Sequence, residues 1–197
     1  MQTLIIALHG VGSRGADLAS LGELWQQTLP QARFVAPDGP ARCGAGFEWF
    51  NLAGITPQNR PERVVAARAA LDTCIADLCA QASVQPGRDR LVVTGFSQGA
   101  IMALDLLARN ALPLAAVVAF SGRLASPAPL QPARHSPLLL VHGQADPVIP
   151  WQESQAAARQ LAEAGAQVST WFEPGLGHGL SLTGAQQAAD FIGQQLN

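Results

Sequence analysis

Hydrophobic and polar positions along the chain fall into two alternating patterns. Residues 3–8, 33–36, 91–94, 114–120, 138–141 and 168–172 are short, mostly apolar runs rich in branched side chains, as in strands buried on both faces. Between them apolar residues recur every three or four positions, the period of a helix with one buried face. Leu18, Leu21, Trp25 and Leu29 form the first such stripe, with Asp17 placed to cap it and Pro30 to end it. A longer stripe runs from Pro61 to just before Pro86-Gly87 through Val64, Ala67, Leu71, Cys74 and Leu78. Further helices are predicted at 100–109, at 152–164 before Gly165, and at 184–196, where Ala188, Phe191 and Ile192 share a face. Strands this apolar, alternating with helices, predict an α/β architecture: a mostly parallel twisted sheet with helices on both faces. Residues 41–59 show no clear period and contain Phe47, Trp49 and Phe50; a loop of that length in a compact domain is usually functional.

Composition narrows the picture. At 197 residues and 48% hydrophobic, the chain is sized for one well-packed domain spanning residues 1–197, and it is too apolar to be disordered. All twelve basic side chains are arginine and the net charge is -2, which gives no electrostatic footprint for nucleic acid. The first residues lack the charged and apolar regions of a secretory signal. No apolar run approaches the roughly 20 residues of a membrane-spanning helix. Cys43, Cys74 and Cys79 are odd in number and lack C-x-x-C spacing, and the helical stripe marks Cys74 as a buried structural thiol, with Cys79 in a similar role. A reducing, cytoplasmic setting is the expectation.

The candidate chemistry centres on Gly95-Phe96-Ser97-Gln98-Gly99, set between a predicted strand and a predicted helix. A serine in a sharp strand-to-helix turn with glycine two places to either side is the nucleophile-elbow pattern, although a capping serine in a glycine-rich turn shares it. In parallel sheets reactive groups gather beyond the carboxyl ends of the strands, so partners of Ser97 should also follow strands. Asp146 lies after the 138–141 run and His178 after the 168–172 run, giving the order Ser, Asp, His of an α/β-hydrolase. An imidazole titrating near neutral pH suits proton transfer to and from Ser97, and a carboxylate fixes its tautomer. Glu173 stands too near His178 in sequence, and Asp190 falls on the outer face of the last helix. His9 and His142 each precede a glycine at a strand end and are expected to hold loops by hydrogen bonds, with His135 solvated. The oxyanion donors are expected at the amides of Gln98 and of Val11, in the glycine-rich loop after the first strand. That loop lacks the G-x-G-x-x-G pattern and the lysine of a nucleotide-phosphate cradle.

Leu8-His9-Gly10-Val11-Gly12, Trp49-Phe50, Gly95-Phe96-Ser97-Gln98-Gly99-Ala100, His142-Gly143-Gln144-Ala145-Asp146-Pro147-Val148-Ile149-Pro150 and Gly177-His178 together resemble the phospholipase/carboxylesterase family. That family includes acyl-protein thioesterases and small bacterial carboxylesterases. The resemblance implies a single-domain α/β-hydrolase that cleaves small-molecule carboxylic esters, with thioesters as a second class, through an acyl-enzyme and without cofactor or metal. It implies Ser97, Asp146 and His178 as catalytic residues, Val11 and Gln98 as the oxyanion hole, and Trp49, Phe50 and Val148 along the substrate pocket. A homodimer is left open. Three departures bear on substrate choice: Ser13-Arg14-Gly15 where relatives carry an aspartate, Trp49-Phe50-Asn51 where they carry W-[FY]-D, and a brief 43–59 segment. The brief segment points to short or medium acyl chains. Two alternatives share the fold: a peptidase or dienelactone-type hydrolase, and a non-catalytic small-molecule receptor. Ser97 argues against the dienelactone type, which uses cysteine at the elbow.

Overall fold

The computed structural model describes residues 1–196; Asn197, the last residue of the expected domain, lies outside the described residues. Six strands form one sheet: β1 (Thr3–Leu8), β2 (Ala32–Val35), β5 (Arg90–Phe96), β6 (Ala116–Phe120), β7 (Pro137–Gly143) and β8 (Gln167–Glu173). Their order is β2-β1-β5-β6-β7-β8 and every pairing is parallel. Alternate residues of the strands feed two separate cores. Leu4, Ile6 and Leu8 of β1 join the core under α2 (Arg60–Ala82), α3 (Gln98–Ala108) and α4 (Trp151–Glu163). Ile5 faces the opposite core, packed by Leu21 and Trp25 of α1 (Ala19–Thr28) and Ala188 and Ile192 of α5 (Leu182–Leu196). Trp25 also donates its indole N–H to the Ala185 carbonyl at 2.9 Å, tying α1 to α5. This is a single α/β-hydrolase domain with helices on both faces. Among the described residues no helix is long and apolar enough to cross a membrane.

Several local expectations are corrected. Asp17 does not cap α1. It lies inside a short 3-10 turn, Gly15–Leu18, and reaches back to accept from the Arg14 amide at 3.0 Å and the Ser13 hydroxyl at 2.6 Å. The face of α2 is rotated from the predicted stripe: Val64, Leu71, Ile75, Cys79 and Ala82 are buried, whereas Cys74 is only half-buried. The observed spacing is nearer the helical repeat over a helix this long. Residues 41–48, expected to be irregular, form an antiparallel hairpin of β3 (Ala41–Cys43) and β4 (Gly46–Glu48). Its strands are too short to show a period of two. Finally, α5 starts before the predicted residue 184 because the Ser181 hydroxyl accepts the Gly184 amide at 2.8 Å, as an N-cap does.

Candidate active site

The turn that presents Ser97 exists because nothing larger than glycine fits beside it. A Cβ on Gly99 would sit 2.0 Å from the Leu8 carbonyl oxygen, and one on Gly95 would sit 2.3 Å from the Gly99 backbone. Strand β5 and helix α3 therefore approach more closely than any side chain allows, and the chain reverses within one residue. Ser97 absorbs the reversal at φ 54° and ψ −114°, where a non-glycine residue is strained. Its amide is fixed to the Phe120 carbonyl at 2.9 Å, and α3 behind it is buried along its whole length.

The loops after β7 and β8 bring two further residues to this edge. His178 Nε2 lies 3.0 Å from Ser97 Oγ, and His178 Nδ1 lies 2.6 Å from Asp146 Oδ2. An ionised carboxylate only accepts, so Nδ1 carries the proton toward Asp146 and Nε2 is left to accept from the Ser97 hydroxyl. The Phe96 ring stands 5.0 Å from the imidazole, centroid to centroid, and walls one side. Asp146 is itself held by four donors. Its Oδ1 accepts the Val148 and Ile149 amides at 2.8 and 2.9 Å, and its Oδ2 takes His142 Nε2 at 3.1 Å beside His178. Burial pushes this carboxyl upward, but the His178 hydrogen bond and the Ile149 and Val148 amides outweigh it and hold the group below the ordinary carboxylate value.

The other cluster is built around Val11 and Gln98. Among the described residues neither backbone amide donates to a protein acceptor. The loop carrying Val11 is clamped: Gly12 donates to the Phe47 carbonyl at 2.8 Å and Phe47 to the Ser13 carbonyl at 2.8 Å, which adds the loop to the β3–β4 hairpin. The Trp49 indole donates to the His9 carbonyl at 2.9 Å. His9 accepts the Gly39 amide at Nε2, 2.9 Å, so its Nδ1 proton goes to the Gly10 carbonyl at 2.7 Å. The Gln98 side chain closes the clamp, accepting the Trp49 amide at 2.8 Å and donating to the Phe50 carbonyl at 2.6 Å.

Of the expected pocket residues, Trp49 and Phe50 are buried, at 3% and 6% exposure, and form this clamp, while Val148 is 60% exposed. His9 and His142 hold loops by hydrogen bonds, and His135 is exposed. Glu173 is engaged elsewhere, accepting the Ser181 hydroxyl at 2.5 Å, and Asp190 is exposed on α5. Two features were not anticipated from the sequence: the work of the Gln98 side chain and the second imidazole on Asp146. An amide side chain at the start of a fully buried helix, whose other polar side chain is Asp105, was a usable signal for the first.

Known proteins resemble the chain over nearly its whole length. The phospholipase/carboxylesterase family model matches residues 1–196. The chain is 33% identical over 193 residues to the esterase YpfH of Escherichia coli K12, covering 97% of this chain and 82% of that protein. It is 30% identical over 212 residues to acyl-protein thioesterase 1 of Neurospora crassa, covering 98% and 86% respectively. Among solved structures, esterase PE8 superposes with a TM-score of 0.88 at 36% identity, over 98% of this chain and 92% of that one. Arabidopsis thaliana SOBER1 superposes at 0.78 with 25% identity over the full length of both. On the extent of the family match and the identity of these relatives, the chain belongs to the phospholipase/carboxylesterase family.

Proposed function

We propose that this protein hydrolyses carboxylic esters of short to medium acyl chains, and thioesters as a second class, through an acyl-enzyme on Ser97. Carboxylesterase- or thioesterase-type hydrolysis follows from the family; the atoms assigned to it follow from the contacts. In the acylation step Ser97 Oγ attacks the acyl carbon as His178 Nε2 takes its proton. The negative charge that develops on the carbonyl oxygen is met by the Val11 and Gln98 amides. Asp146 stabilises the imidazolium and keeps its Nδ1–H aimed away from the substrate. His178 returns the proton to the leaving alcohol or thiol, and the acyl group remains on Ser97. Water then repeats the sequence: His178 takes its proton, its oxygen attacks the acyl carbon, and Ser97 recovers the proton as the acid departs.

The observation that carries this reading is the unbroken chain Ser97 Oγ–His178 Nε2 at 3.0 Å and His178 Nδ1–Asp146 Oδ2 at 2.6 Å. The test is multiple-turnover hydrolysis of aryl esters of increasing acyl length, run beside a thioester. Ser97→Ala should lower kcat on the order of 10⁶-fold. Wild-type-like turnover in that variant would refute the nucleophile assignment. A wild-type protein that releases at most one equivalent of product would favour a receptor, and a preference for palmitoyl-length chains would refute the acyl range.

A further inference from the structure

Resting on the reading above, we propose that His142 is a positioning residue for the Ser97–His178–Asp146 chain: its Nε2–H is a second ring donor on the carboxylate oxygen used by His178, and Ser154 anchors the other side of the ring. The tautomer follows from the partners. His142 Nε2 lies 3.1 Å from Asp146 Oδ2 and 2.9 Å from the Ile149 carbonyl, both acceptors, so Nε2 must carry the proton. Nδ1 lies 2.7 Å from Ser154 Oγ, whose hydroxyl donates to it in the neutral ring. The ring and Ser154 are both fully buried, so neither finds a substitute partner in water. Burial is also the main reason the imidazole is held below its ordinary value and stays neutral, against the pull of the Ile149 carbonyl and Asp146.

The titratable groups that face the ring are Asp146, four residues on in the loop after β7, and His178 from the loop after β8. Helix α4 contributes the neutral Ser154, and the turn after β6 contributes the Gly122 carbonyl, 3.2 Å from Ser154 Oγ. Glu153, the residue before Ser154 on α4, is turned to Arg123 at 3.5 Å. His142 therefore joins three elements behind the carboxylate and acts on catalysis through it. A carboxylate without this donor is free to tilt, and Oδ2 keeps all its negative charge for a single partner. The protonated His178 ring is then held more strongly in the resting enzyme, and the enzyme becomes active only at higher pH.

The experiment is the pH profile of kcat/KM for an aryl acetate with wild type, His142→Leu, His142→Gln and Ser154→Ala, alongside fluorophosphonate labelling of Ser97. His142→Leu should lower kcat roughly 10- to 100-fold, as a loss of alignment does, and move the acid limb upward by up to about one pH unit. A merely structural role would lower kcat and leave the limb in place. His142→Gln carries an N–H to the same region and should restore the limb and most of kcat. His142→Leu does not orphan Ser154, which turns to the Gly122 carbonyl. Should the leucine variant not fold, Ser154→Ala decides, because it keeps the ring but removes the hydroxyl that anchors its Nδ1 side; its acid limb should move the same way by less. An unmoved limb in the folded variants, or a glutamine variant no better than leucine, overturns the proposal while labelled Ser97 leaves the esterase reading intact. Failure to label Ser97 in the wild type overturns both.

Discussion

Replacing Gln98 by methionine separates the two contributions this residue makes. The backbone amide stays where it is, whereas the side chain can no longer accept from the Trp49 amide or donate to the Phe50 carbonyl. Methionine is close in volume, so little cavity is created and the polar loss dominates. Both orphaned backbone groups belong to buried residues, 3% and 6% exposed, and each such group costs about 1–3 kcal/mol. The sum is about 2–6 kcal/mol, against a total of about 5–15 kcal/mol for an ordinary domain. With a urea slope near 2 kcal/mol/M, the unfolding midpoint should fall by about 1–3 M. Catalysis should suffer as well. The 49–50 segment loses its anchor on α3, and through the Trp49 indole and the Phe47 carbonyl it anchors the loop that carries Val11. The amides themselves remain, so the loss in kcat should be at least tenfold yet stay below the roughly 10²- to 10³-fold of losing an oxyanion donor outright. Urea melts followed by circular dichroism, with aryl-ester kinetics on the same samples, measure both. A Gln98→Met protein with an unchanged midpoint and unchanged kcat would show that the clamp is held by something other than this side chain.

Gly99→Ala should give no soluble folded protein, because its Cβ would lie 2.0 Å from the Leu8 carbonyl; a native circular dichroism spectrum would refute the steric account of the elbow. Asp105 is fully buried on α3 and paired with Arg68 at 2.9 Å and Arg109 at 3.1 Å, so Asp105→Asn should cost about 3 kcal/mol in a denaturant melt, at the low end for a broken buried pair because both arginines keep some solvent contact. Stability should fall as pH drops below 6.5: the unfolded chain protonates His142 at its ordinary value of 6.5 while the native site resists, so the unfolded state binds more protons and stability rises with pH across that window. His142→Gln should flatten this slope, and an identical slope in that variant would show that another group is responsible. Asp146, held below its ordinary value of 3.8, adds a further loss as pH falls through that lower range.

Much of the architecture was legible because continuous apolar runs and three-to-four spacing have few physical solutions. The strand–helix alternation led to the parallel sheet, and the strand-end rule led from Ser97 to Asp146 and His178, which the fold brings within hydrogen-bond distance. The misses have separate physical causes. The β3–β4 hairpin has three-residue strands, shorter than any periodicity can reveal. Asp17 and Ser181 took roles set by hydrogen bonds a few residues away, which propensity does not resolve. Cys74 was placed by an early register of α2 that drifts over a 23-residue helix.

By itself the sequence determined the class of fold, the serine at the elbow and the order of its partners, because each depends on local pattern or on glycine's missing side chain. Only the tertiary structure decided that His142 shares Asp146 with His178, and that Gln98 spends its side chain on a segment almost fifty residues away. The Gln98 and His178 contacts join groups whose separation along the chain bears no relation to their distance in space. Their geometry is fixed by how the loops at the carboxyl edge pack against one another, and no spacing in the sequence records it.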